Sequence, residues 1–165
     1  MKEGTRMEDV IEYVIRDGMG KVRKSWTSKG TSHRCLTNSG FGIVAGLLLT
    51  DITGGTITAF DYVEIGTGTI VAAPTDVALG TAIKRKAGTG TRIQTTILND
   101  TANLVATFSS ADGLSGTSDV SEVGMFNAAS GVTMLMRQTF TPEHLDWDAG
   151  DSLQMTVKVQ MKQGT

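Results

Sequence analysis

The chain has a single cysteine, Cys35, and only two prolines in 165 residues. One cysteine excludes an intrachain disulfide, so the fold must rest on core packing or on subunit contacts. Aromatic residues make up 5% of the chain and hydrophobic residues 39%, which leaves few rings for base stacking or for a sugar-binding face. The longest apolar run, Phe41 to Leu49, is broken by glycine and falls far short of the ~20 residues needed to cross a bilayer. Acids are interspersed through Met1 to Gly20, so no secretory signal is visible there. The expectation is a soluble protein with no membrane partner. A net charge of −2 argues against a dedicated nucleic-acid binder, which would be strongly basic.

What the chain has in plenty is glycine, 20 residues, and threonine, 24 residues. The branched Cβ of threonine suits a pleated surface, and glycine suits the turns between strands. Leu153 to Met161 alternates without a fault, apolar at odd positions and polar at even ones, as a strand with one buried face does. Similar strands are predicted at Phe60–Ile65 and Ile83–Lys86. Arg92–Leu98 with Ala102–Ser109, and Val120–Asn127 with Val132–Phe140, read as hairpins. A loop holding Pro142, His144, Trp147 and Gly150 leads into the last strand. About seven strands near ten-residue spacing predict a mainly β fold, an antiparallel β-sandwich or jelly roll.

Two helices are expected beside the strands. Gly40–Leu49, preceded by the capping candidates Thr37, Asn38 and Ser39, reads as a small-residue helix lying close against a sheet. Near the N-terminus, Thr5 and Glu8 match a capping box, and Met7, Val10, Ile11, Val14 and Ile15 fall on one helical face. That predicts a short helix ending at Gly18 or Gly20, packed on its own domain or docked as an arm on a neighbouring subunit. From Gly18 to Thr50 there is no acid, but there are Lys21, Arg23, Lys24, Lys29 and Arg34. Such a stretch is a solvated basic loop or meets an acidic surface or a nucleic acid. The domain division is thus residues 1–35 as an N-terminal arm and 36–165 as the β-sandwich.

Catalysis needs convergent polar groups, and few are legible. His33 and Cys35 flank Arg34, a spacing that says little about a nucleophile pair. Asp146, Asp148 and Asp151 resemble a fragment of a calcium loop but lack its terminal glutamate, so a solvated turn is expected. Gly66-Thr67-Gly68-Thr69 lacks the lysine of a phosphate-binding loop and reads as turn chemistry. Met125, Met134 and Met136 are expected to fill the core. No catalytic residue, metal ligand or cofactor is assigned.

The order of four segments resembles a group of tailed-bacteriophage virion proteins: FDYVEIGTGT (60–69), APTDVALGTAI (73–83), SEVGMFNAASGVTMLMRQTF (121–140) and DAGDSLQMTVKVQ (148–160). Within them Glu122, Gly124, Phe126, Asn127, Gly131 and Arg137 carry the hairpin pattern of that group, and TNSGFGIVAGLLLTD (37–51) is similar to it as well. The resemblance implies a non-enzymatic β-sandwich virion protein. Jelly-roll modules commonly assemble about a threefold axis, so a homotrimer is expected. It would decorate or cement a capsid, attached to the major capsid protein or another virion protein through the N-terminal arm. The alternative is a tail fibre, collar or baseplate component with a host-surface-binding face. A particle-borne cell-wall hydrolase would need paired carboxylates or metal ligands at recognisable spacing, and none is seen.

Overall fold

The computed structural model describes residues 6–28, 36–47, 58–131 and 133–162. Among them are nine strands, one α-helix and one 3-10 turn at Ser110–Asp112. The strands are β1 (Arg6–Arg16), β2 (Val22–Thr27), β3 (Tyr62–Gly66), β4 (Ala82–Ala87), β5 (Thr89–Ile93), β6 (Thr101–Phe108), β7 (Thr117–Phe126), β8 (Met134–Asp146) and β9 (Ser152–Lys162), and α1 spans Asn38–Leu47. They form two antiparallel sheets, in the order β2-β1-β9-β6-β5 and β4-β3-β7-β8. The mainly β, two-sheet class expected from the sequence is the one observed.

The chain divides into two compact units, each assembled from separated segments. One holds residues 1–34, 88–117 and 145–165; the other holds 35–87 and 118–144.

In the first unit β9 is central, pairing with β1 along eleven residues and with β6 along eight. Its odd positions Leu153, Met155, Val157 and Val159 are buried, as the alternation requires. The described part of the N-terminal segment, residues 6–28, is not the expected helix: it supplies β1 and β2 of this sheet. Residues 6–16 are an interior strand of this sheet, with Ile11, Tyr13 and Ile15 buried on one side. Helical periodicity was mimicked because Asp9 occupies a buried position in that row, while Val10 and Val14 lie on the opposite side. β-branched Val and Ile then suit the pleat better than the helix. Glu8, assigned to a capping box, instead pairs with Lys162 across β9.

In the second unit Thr37 is the N-cap of α1, its Oγ1 accepting from Gly40 N at 3.0 Å and donating to the Met134 carbonyl. Gly40 lets the helix touch β8: a Cβ there would lie 2.7 Å from Leu135 Cα. The predicted small-residue helix against a sheet is therefore present. The expected loop around Pro142 and His144 is strand, since β8 runs on to Asp146. Strand β8 is a sheet edge, where a missing proline N–H is tolerated.

Two other edges set lysine opposite buried apolar residues of the neighbouring strand. Lys24 on β2 stands opposite Ile15, and Lys84 and Lys86 on β4 stand opposite Ile65 and Val63. Charge placed in the apolar row of an edge strand discourages another chain from adding to it.

Candidate interaction site: a loop stapled by Glu122 and Arg137

Loop 67–81, which joins β3 to β4, folds back on its own sheet. Its ends meet where Thr67 N donates to the Thr81 carbonyl at 2.9 Å, the closure of a compact Ω-type loop. Glu122 on β7 is fully buried and takes five donors from its surroundings. Oε1 accepts from the amides of Gly68 at 2.8 Å and Thr81 at 2.7 Å. Oε2 accepts from Gly80 N at 2.9 Å and from Arg137 Nε at 2.9 Å, with Arg137 Nη2 2.8 Å away.

Arg137 on β8 completes the staple. Its Nη1 donates to Asp76 Oδ2 at 2.8 Å and its Nη2 to the Ile70 carbonyl at 3.0 Å. Asp76 in turn accepts from Ala73 N at 2.9 Å. Asn38 N, at the start of α1, donates to the Pro74 carbonyl, and Ser121 Oγ donates to the Gly68 carbonyl. The loop is thus held at both ends and in its middle.

Electrostatics favours full ionisation of the group. Burial pushes Glu122 up, but the amides of Thr81 and Gly80, the Arg137 guanidinium and the Gly68 amide outweigh it and hold the carboxyl below its ordinary value. Asp76 is likewise lowered: burial is overcome by the Ala73 amide and by Arg137. Burial opposes the Arg137 charge, yet Asp76 and Glu122 raise its affinity for the proton. A carboxylate so saturated with donors acts as a structural anchor, with little capacity left for proton transfer.

The glycines of the segment are needed for this approach. A Cβ on Gly68 would lie 2.5 Å from Glu122 Oε1, and one on Gly66 2.4 Å from the Thr81 carbonyl oxygen. Beside the staple, Leu79 packs with Phe126, Met134 and Tyr62 in a small core, over Gly124, whose missing side chain leaves the space. Arg85 sits 3.6 Å above the Phe126 ring and pairs with Glu64 at 3.0 Å. Outward, the loop exposes three β-branched aliphatics: Ile70 at 77%, Val71 at 79% and Val77 at 66%. The loop is thus fixed from beneath and apolar at three exposed positions.

Of the hairpin residues read as a pattern, Glu122, Gly124, Phe126 and Arg137 share one neighbourhood with Gly66, Gly68, Asp76 and Gly80 of the upstream segments, while Asn127 and Gly131 lie in the connection from β7 to β8, where the Gly131 carbonyl accepts from Arg85. Gly66-Thr67-Gly68-Thr69 is a turn, as expected, but a turn whose amide binds a buried carboxylate. Met125, Met134 and Met136 are core residues. Asp146, Asp148 and Asp151 do not converge on a cation position. Asp146 Oδ1 caps the amides of Asp148 and Ala149, and Asp151 Oδ2 accepts from Asp146 N and pairs with Arg23 at 2.8 Å. His33, Arg34 and Cys35 lie outside the described residues. Sequence reasoning did not anticipate the roles of Asp76 and Arg85. The available signal was a charge inside an apolar strand, Glu122 in VSEVGMF and Arg137 in TMLMRQTF, which demands a buried partner.

No protein-family model, no curated protein and no solved structure matches this chain.

Proposed function

We propose that the chain is a non-enzymatic structural component of a tailed-bacteriophage particle. It works as a homo-oligomer, a trimer, that decorates or cements the capsid. The observation that carries this reading is how the resembling motifs are used. Residues from three separated segments build one staple, and the staple ends in an exposed apolar tip instead of a reactive group. Attachment through an independent N-terminal arm is dropped, because residues 6–28 belong to the five-stranded sheet. Ile70, Val71 and Val77 on loop 67–81 are the contact between subunits in this reading. Burying three such side chains contributes about 1.5–3 kcal/mol each, against which the cost of association is set.

The deciding experiment counts copies of this polypeptide in purified particles by quantitative mass spectrometry. Hundreds of copies, in simple ratio to the major capsid protein, are expected. A few to a few dozen would move the protein to the tail, collar or fibres. Its absence from particles would end the reading.

A further inference from the structure

Helix α1 has one side in water and no charge to put there. Its ten residues, Asn38–Leu47, include no charged side chain, whereas a surface helix normally turns a charged, polar face outward. Its inner side is accounted for. Gly40 lies on β8, where a Cβ would come 2.6 Å from the Leu135 carbonyl oxygen, and Thr37 fastens the first turn to the Met134 carbonyl. On the other side Asn38, Phe41, Gly42 and Ala45 follow one another at helical spacing, and all four are exposed. Phe41 keeps 48% of its surface in solvent.

This stripe continues onto loop 67–81. Asn38 N donates to the Pro74 carbonyl at 2.8 Å, so α1 starts against the middle of the loop that exposes Ile70, Val71 and Val77. No charged residue occurs from Leu36 to Thr50 or from Ile65 to Thr75, in a chain that is 19% charged. Asp76, the one ionisable side chain of the loop, is taken up by Arg137 and the Ala73 amide. Helix and loop belong to the same compact unit. Both are tied to β8, the helix through Thr37 and the loop through Arg137, so neither has to be ordered when a partner arrives.

We infer that the exposed side of α1 and the tip of loop 67–81 form one continuous contact for a second copy of this chain, with Phe41 as its anchor. The missing charges select the occupant. A rotationally symmetric contact brings copies of one surface close to a shared axis, where any charge meets its like, and a surface without charge suits such a contact. A different protein is selected by complementary charge, which neither segment offers. Nucleic acid requires cations, and the two segments have none. A helix that lies on a membrane carries lysine or arginine beside its apolar face, and α1 carries neither. The inference rests on the homo-oligomer of the proposed function and adds a helix and an aromatic side chain to its contact.

The test compares the full chain with two variants, Phe41→Ser and Ala45→Lys, by sedimentation equilibrium over a wide range of concentrations. Both positions are exposed, and circular dichroism melts establish that each variant is folded. The expected result is self-association of the wild type, weakened at least about tenfold in both variants, as truncating or charging an interface anchor does. Variants that associate as tightly as the wild type overturn the α1 contact while leaving a homo-oligomer built on Val71 intact. A wild type that stays monomeric throughout overturns the homo-oligomer and this contact with it. Flotation of the wild type, but not of Phe41→Ser, with phosphatidylcholine vesicles reassigns the face to lipid.

Discussion

Glu122 and Arg137 meet through one oxygen: Nε and Nη2 of the guanidinium both lie within 2.9 Å of Glu122 Oε2. The other oxygen is left for backbone amides of the loop. The pair therefore joins β7 to β8 and both strands to loop 67–81. Removing Glu122 leaves Arg137 with Asp76 and the Ile70 carbonyl, and removing Arg137 leaves Glu122 with three backbone amides.

Glu122→Gln should destabilise the protein by more than about 1 kcal/mol but by less than the ~3–5 kcal/mol of a fully uncompensated buried charge, because Asp76 still pairs with Arg137. The amide also places a donor among donors. Urea unfolding with matched slopes measures it. A loss below 1 kcal/mol would mean that the loop rearranges to release Arg137.

Acid should loosen the same staple. Glu122 and Asp76 have folded values below their unfolded ones of 4.5 and 3.8. Their contribution is therefore present above the unfolded values and disappears as pH falls through the lowered ones. Urea midpoints should be level from pH 7 to about pH 5 and then drop, with a shallower drop in Glu122→Gln.

Two glycines of one helix should respond in opposite directions. Gly42→Ala meets nothing within 4 Å and should stabilise by up to about 1 kcal/mol through helix propensity. Gly40→Ala forces a Cβ onto the backbone of Leu135 and should destabilise. Thermal melts of the two variants decide it.

Asp100 organises the turn after β5. Its carboxylate accepts from Thr95, Thr96 and Ile97 N and from Gln160 Nε2. Asp100→Ala should accelerate hydrogen exchange at those three amides while leaving β9 protected. Unchanged exchange would show that Asn99, at φ +61°, fixes the turn unaided.

Val71→Asp should leave stability within about 0.5 kcal/mol, as exposed changes do, yet abolish self-association. Sedimentation velocity of both proteins over a range of concentrations reads this directly. Identical distributions would remove loop 67–81 from the oligomer contact.

Where a strand keeps one row apolar, its position was legible. Leu153 to Met161 alternates cleanly, and β9 is where that alternation puts it. Strand β1 was not legible, because Asp9 interrupts its buried row and Val10 and Val14 fill the other, leaving a spacing that imitates a helix. β8 was cut short at Pro142, since nothing local reveals that this strand is an edge. The staple was half legible: the glycines, Glu122 and Arg137 stood out as a pattern. That Gly68 and Glu122, 54 positions apart, are in contact is set by the pairing of β3 with β7, which no local pattern encodes.

The pairing of β1 with β9 also sets a timetable. Strand β1 lies between β2 and β9, a strand made long after it, with Arg6 opposite Lys162. At ~5–20 residues per second, the row of Ile11, Tyr13 and Ile15 waits on the order of ten seconds for its neighbour. During that interval β2 is its one sheet neighbour among the described strands. The five-stranded sheet can close only once β9 has been made, so a nascent chain stalled anywhere before Ser152 would expose that apolar row to chaperones or to other chains.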